Sequence, residues 1–145
     1  MICFAYGTNM SRADMARRAP GARAVGIGRL AGHRLVVTRA GYLSVRRAPG
    51  GMVHGVLWRL TPRDLVRLDA YEGVGPGGYR RAVRPVLTAG GARAAIVYHG
   101  GRTVAGARLL RHPFEEAVLA SAISWHLPVA ALTGLRRLAR NGFRG

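Results

Sequence analysis

The chain has 145 residues, of which 49% are hydrophobic, and we expect one domain over residues 1–145 with a packed core rather than a disordered chain. Its 23 basic and 6 acidic residues give a formal charge of +17, but the basic residues are all arginines, scattered singly or in pairs, which argues against a specific nucleic-acid reader. No apolar run approaches the ~20 residues of a membrane-spanning helix, so we expect no membrane partner.

The first predicted element is an apolar strand, Ile2 to Tyr6, which runs into Gly7-Thr8-Asn9. Two interpretations of this strand end stay open: a tight turn into the next helix, or a loop whose backbone N–H groups face a ligand. The strand holds the single cysteine, Cys3, which cannot form an intramolecular disulfide. The N-terminus shows neither a basic region nor a cleavage site of a secretory signal, so we expect a cytoplasmic protein.

A short helix and several strands are predicted next. The sequence Ser11-Arg-Ala-Asp14 is typical of a capping box at a helix start, and Pro20-Gly21 ends that helix. Short β-type runs separated by glycine turns follow at 22–30, 33–39, 41–47 and 50–60.

The clearest helix is predicted at 61–72. Thr61 is a favourable N-cap, Pro62 suits the first helical position, and Gly73 stops the helix after Glu72. At 100° per residue, Leu65, Leu68 and Glu72 share one face, with Asp69 at its margin and Asp64 outside it.

Glu72 is therefore a carboxylate on an apolar helix face. Burial and the negative end of the helix dipole would both raise its pKa, and a carboxyl group that titrates nearer neutrality can exchange a proton in catalysis. The alternative is that its side chain passes Leu68 to reach solvent, or pairs with one of the many arginines.

The remaining elements are a hairpin and two terminal helices. The glycine-rich stretch 73–78 leads into strands at 79–88 and 92–100. Helical spacing at 112–127 places Val118, Leu119, Ala122 and Ile123 on one side, and Pro128 begins a second helix that ends near Asn141. Strands followed by helices indicate an α+β fold with a small curled sheet or barrel.

Other catalytic chemistry finds little support in the sequence. The five histidines lack the spacing of metal ligands, Gly26-Ile27-Gly28 lacks the rest of a dinucleotide-binding motif, and there is no P-loop. Cys3 has no neighbouring base. We therefore expect neither a metal nor a cofactor.

Two motifs together resemble the γ-glutamylcyclotransferase-like family. They are "FAYGTNM" at the first strand end and "GVLWRLTPRDLVRLDAYEGVGPGGYRR" in the middle of the chain. The later "AAIVYHG" and "WHLPVAALTGL" (125–135) are similar to the segments that follow in that family. The resemblance spans nearly the whole chain, in the same order.

The resemblance implies a small mixed β-barrel flanked by helices. It implies conversion of a γ-glutamyl amine, amino acid or peptide to 5-oxoproline and a free amine, without a cofactor. The oligomeric state, monomer or homodimer, stays open. Glu72 matches the catalytic acid/base of the family. The substrate-binding positions carried over by the resemblance are Tyr6, Gly7, Thr8, Asn9, Met10, Tyr79 and Tyr98.

Three positions depart from the family pattern. Thr8 replaces a serine, His126 stands where glycine is common, and Ala131 or its neighbour stands where a tyrosine is common. These changes leave the acid/base chemistry in place but bear on substrate identity. An alternative function stays open: a non-catalytic member of the same fold, acting as a basic binding module.

Overall fold

The computed structural model describes residues 1–101 and 112–141, and within them five strands close into a mixed barrel. The strands follow the order β1-β3-β2-β4-β5 around the barrel, and β5 closes on β1 in parallel while the other pairs are antiparallel. Their bounds are Ile2–Ala5 (β1), Arg23–Val37 (β2), Leu43–Arg59 (β3), Tyr79–Thr88 (β4) and Gly91–Gly100 (β5). The expected α+β barrel flanked by helices is confirmed.

The helices begin and end close to the predicted positions. They are Arg12–Arg18 (α1), Pro62–Glu72 (α2), His112–Ser124 (α3) and Val129–Asn141 (α4), with a 3₁₀ turn at Thr8–Met10. Thr61 and Asp64 form a complete capping box at the start of α2, and Gly73 ends it in the left-handed conformation, φ 66°. Within the described ranges no helix combines the length and the hydrophobicity that crossing a bilayer requires.

The prediction of four separate short strands between α1 and α2, from four β-type runs, is wrong. The runs form two long strands, β2 and β3, which pair on both sides of an irregularity that leaves residues 48–51 of β3 without a partner in β2. Gly32, with φ 72°, lies at a register shift between Ala31 and His33. A glycine in this conformation bends a strand and increases its twist without ending it, so the glycines curve the barrel wall instead of making turns.

The core lies between the inner barrel faces and the helices that cover them. Phe4, Leu57 and Leu68 are almost completely buried, so the predicted apolar face of α2 packs on the barrel. In α3, Val118 and Ala122 are buried as expected, but Ile123 is 48% exposed because the buried stripe turns toward Ser121 instead.

Gly55 in β3 occupies a position where the barrel leaves no room for a side chain. A Cβ there would lie 2.2 Å from the Ala5 carbonyl oxygen and 2.8 Å from the Phe4 ring. We expect Gly55→Ala to lower the free energy of unfolding by about 1–3 kcal/mol, because backbone must move to relieve the overlap. Urea denaturation monitored by circular dichroism measures the change.

Gly134 in α4 supplies the matched control. A Cβ added at Gly134 meets nothing within 4 Å, so Gly134→Ala should raise the unfolding free energy by up to about 1 kcal/mol through helix propensity. Equal stability of the two variants would contradict the close approach at Gly55.

Candidate active site

A pocket of about 330 Å³ opens where β1 and α2 end, and it joins most of the site residues expected from the sequence. Its volume is within the range of small-molecule sites, roughly 300–1,000 Å³. The residues that line it are Phe4, Ala5, Tyr6, Gly7, Thr8, Asn9, Tyr42, Leu43, Tyr71, Glu72, Tyr79, Tyr98 and Phe114.

Glu72, the last residue of α2, places its carboxylate in this pocket rather than toward bulk solvent. The side-chain amide of Asn9 donates a hydrogen bond of 2.9 Å to Glu72 Oε1. Desolvation by burial raises the Glu72 pKa above its ordinary value, against the opposing effects of the Asn9 hydrogen bond and the positive charge of Arg18. A raised pKa is favourable for a carboxyl group that exchanges protons during a reaction.

The loop after β1 forms the 3₁₀ turn at Thr8–Met10. The first hydrogen bond of this turn runs from the Met10 N–H to the Gly7 carbonyl, at 3.0 Å. The N–H groups of Thr8 and Asn9 precede it and therefore have no acceptor within the turn. The two interpretations of this strand end are thus compatible, because the loop is a turn into α1 and also lines the pocket.

Met10 differs from the other expected substrate-binding residues. Its side chain is fully buried in the core and does not line the pocket, and its carbonyl accepts a 2.7 Å hydrogen bond from the Trp125 indole. Met10 therefore anchors the loop to the segment after α3.

Arg18, at the end of α1, ties the loop and the carboxylate together. One guanidinium nitrogen donates to Thr8 Oγ1 at 2.9 Å and to Asn9 Oδ1 at 2.8 Å. Because the other end of the Asn9 amide donates to Glu72, a continuous chain runs from Arg18 through Asn9 to the carboxylate. Sequence reasoning missed Arg18, since nothing distinguishes it from the other arginines until the fold brings α1 beside α2.

Three tyrosines in the pocket donate their hydroxyl hydrogens to protein acceptors. Tyr6 donates to the Tyr98 carbonyl at 2.5 Å, Tyr79 to the Leu43 carbonyl at 2.7 Å, and Tyr98 to Asp69 Oδ1 at 2.7 Å. Burial, as the main cause, raises the pKa of all three phenols, so they stay protonated. Their oxygens retain lone pairs that can accept a hydrogen bond from a ligand.

Several pocket residues were not predicted from the sequence. Tyr42 and Phe114 meet edge to face with ring centroids 5.2 Å apart, and the Arg18 guanidinium lies 3.9 Å from the centre of the Tyr71 ring. Asp69, at the margin of the α2 face, does not line the pocket, but its carboxylate accepts from Tyr98 and lies 3.4 Å from Arg81. Local sequence patterns do not indicate which aromatic residues the fold brings together around a pocket.

Cys3 does not act as a reactive thiol in this environment. It is buried in β1, and desolvation together with the nearby carboxylates of Glu72 and Asp69 raises its pKa to about 12. The thiolate form is therefore scarce at neutral pH. Across residues 1–101 and 112–141, no three His, Cys, Asp or Glu side chains converge as metal ligands.

The late departures from the family pattern lie outside this pocket. His126 has φ 56°, a left-handed conformation that favours glycine, which gives a physical reason for glycine at this position in the resemblance. Ala131 lines a separate cavity of about 290 Å³ between the barrel and α4, which it shares with Tyr6. Thr8 keeps a hydroxyl in the loop, and that hydroxyl is held by Arg18.

The raised pKa of Glu72 predicts a pH dependence of stability. Between the unfolded value of 4.5 and the higher folded value, the native state binds more protons, so stability falls as pH rises through this window. Relative to Glu72→Gln, the parent should lose unfolding free energy upward from about pH 4.5, with a slope of at most about 1.4 kcal/mol per pH unit. Urea denaturation of both proteins across pH 4–8 measures this difference, and a difference independent of pH would contradict the raised pKa.

The barrel and its pocket define an α+β protein with a small-molecule site in which one half-buried carboxylate faces a backbone turn and tyrosine hydroxyls. The sequence profile of the family "Gamma-glutamyl cyclotransferase, AIG2-like" matches residues 3–116. The chain therefore belongs to this family. No curated protein sequence matches the chain.

Solved structures share the fold at low sequence identity. A protein described as a gamma-glutamyl cyclotransferase superposes with a TM-score of 0.84 at 22% identity, covering 100% of this chain and 91% of its own. The human protein loc79017 gives 0.83 at 23% identity, with 99% and 90% covered. YkqA from Bacillus subtilis gives 0.79 at 22% identity, with 100% of this chain and 56% of YkqA covered.

Proposed function

We propose that this protein is a γ-glutamyl cyclotransferase that converts a γ-glutamyl amine, amino acid or peptide to 5-oxoproline and a free amine. The observation that carries the proposal is that the Glu72 carboxylate and the loop at residues 7–9 line one pocket of small-molecule size. The family and the fold support the same reaction class.

The substrate of this reaction carries its own nucleophile. The free α-amine attacks the γ-carbonyl, a C–N bond closes the five-membered ring, and the original amide C–N bond breaks to release the amine. The enzyme therefore needs no serine or cysteine nucleophile, which agrees with the inert environment of Cys3. Holding the extended γ-glutamyl chain in the folded, attacking geometry is the main task of the pocket, and such positioning lowers barriers by up to roughly 7–11 kcal/mol in favourable cases.

Glu72 is proposed to move the two protons of the reaction. Its carboxylate accepts a proton from the α-ammonium as the amine attacks, and the resulting carboxylic acid donates a proton to the departing amine. The raised pKa makes the carboxylate a better base than an exposed glutamate. The Asn9 hydrogen bond holds Oε1, which leaves Oε2 to face the substrate.

The other groups of the pocket are proposed to bind and orient the substrate. The N–H groups of Thr8 and Asn9 are suited to the substrate carboxylate or to the oxyanion that develops on the γ-carbonyl. The phenol oxygens of Tyr6, Tyr79 and Tyr98 can accept from the α-ammonium, because their own hydrogens are already donated elsewhere. Their rings exclude water from the reacting atoms.

The proposal is tested by incubating the protein with γ-glutamyl amino acids, γ-glutamyl alkylamines and γ-glutamyl peptides and measuring 5-oxoproline by mass spectrometry. An N-acetyl-γ-glutamyl amide is the matched control, because it keeps the carboxylate and the γ-amide of the substrate but its blocked nitrogen cannot attack. We expect turnover of at least one free-amine class and none of the acetylated compound. Absence of 5-oxoproline from the whole panel would contradict the proposal and favour the binding-module alternative.

A further inference from the structure

A second pocket, of about 360 Å³, lies among β2, β3, β4 and β5 and shares no lining residue with the candidate active site. Its apolar part is made by Val36, Val45 and Val97, which are buried in the barrel. Most residues that line this pocket lie in paired strands rather than in loops, so the backbone that carries their side chains is rigid.

Positive charge dominates the lining of this pocket. Arg46, Arg47 and Arg84 line it together with His33 and His99, and none of its described lining residues is acidic. His33 and Arg47 are direct partners across the β2–β3 ladder. Desolvation, followed by the charges of Arg84, Arg80 and His33, lowers the pKa of His99.

We propose that this second pocket binds a small anion that carries a phosphate monoester group. A dianion offsets the positive charge that Arg47 and Arg84 bring to this lining, and arginine matches phosphate oxygens with paired N–H donors. The volume exceeds that of one phosphate, so the pocket has room for a small organic group on the valine side. A polymer is disfavoured because the described lining offers no Phe, Tyr or Trp on which successive bases could stack.

The test is titration calorimetry with inorganic phosphate at pH 7.5, against chloride at equal ionic strength. The double variant Arg47→Gln/Arg84→Gln should weaken phosphate binding at least tenfold. Arg23→Gln/Arg63→Gln is the matched control, since it removes the same charge from exposed positions outside the pocket and should change the affinity less than twofold. The single variant Arg47→Gln changes an exposed side chain and should weaken binding about threefold. It provides an independent test if the substitution of the half-buried Arg84 lowers the stability of the double variant.

Three results would overturn the proposal. Equal weakening by both double variants would mean that phosphate responds only to net charge. Tighter binding of a 12-nucleotide RNA, lost equally in both double variants, would assign the charge to non-specific nucleic-acid adhesion. Tighter phosphate binding in Glu72→Gln would place the anion in the candidate active site, because this substitution removes a negative charge from the lining of that site. Unchanged affinity supports a separate site, whatever the outcome for γ-glutamyl turnover.

Discussion

Replacing Glu72 with glutamine is expected to lower kcat for 5-oxoproline release by about 10³-fold. The variant loses both proton transfers, and general acid–base groups contribute roughly 10²–10⁴ in rate. The fold should persist, because the glutamine oxygen can still accept the hydrogen bond from Asn9. Steady-state assays with the best γ-glutamyl substrate give kcat, and equilibrium binding of the N-acetylated analogue shows whether the pocket survives.

Glu116→Gln is the matched control for this change. Glu116 is an exposed carboxylate on α3 and does not line the pocket, so its variant should keep the parent's kcat within about twofold. A Glu72→Gln enzyme that turned over substrate at the parent's rate would remove Glu72 from the mechanism. Proton transfer would then have to be assigned to another group.

Replacing Arg18 with methionine is expected to lower kcat/KM by about 100-fold, although Arg18 does not line the pocket. The variant removes two charge-assisted hydrogen bonds, to Thr8 and Asn9, and charged hydrogen bonds contribute about 1.5–3 kcal/mol each. A released Asn9 no longer holds the Glu72 carboxylate, so Arg18 acts as a positioning residue. The kcat/KM of each variant at a fixed pH measures the loss.

The pH profile separates this role from a simple loss of folding. The positive charge of Arg18 lowers the Glu72 pKa, so its removal should move the acidic limb of kcat/KM to higher pH. Arg17→Met is the matched control, because the neighbouring side chain is 73% exposed and pairs with Asp14 only, and it should leave both rate and profile unchanged. An Arg18→Lys variant should recover part of the loss, since lysine keeps the charge but not the planar donor pattern. Equal profiles for Arg17→Met and Arg18→Met would contradict the positioning role.

The pocket shows which part of the site could be read from local sequence patterns. The spacing of Leu65, Leu68 and Glu72 predicts a carboxylate on a buried helix face, and the capping residues locate the helix almost to the residue. The strand end at Gly7-Thr8-Asn9 is visible in the same way. Both signals arise from interactions within one or two turns of chain, so they survive without the rest of the fold.

The convergence of these pieces depends on the barrel. Asn9 and Glu72 are 63 positions apart and Tyr6 and Tyr98 are 92 apart, and each pair meets because β1 lies between β3 and β5 in the closed sheet. The same fold brings Arg18, out of many arginines, into contact with Asn9. Pairing between β2 and β3 joins each pair of predicted short runs into one strand.

The amino-acid sequence by itself thus determined the helices, their caps, the unusual carboxylate and the α+β class, because periodicity and capping are local physics. The tertiary structure alone decided which distant side chains share a cavity, why Met10 lies in the core, and which arginine, Arg18, contacts Thr8. Strand register and barrel closure are set by the sum of many long-range contacts, and no single segment encodes that sum.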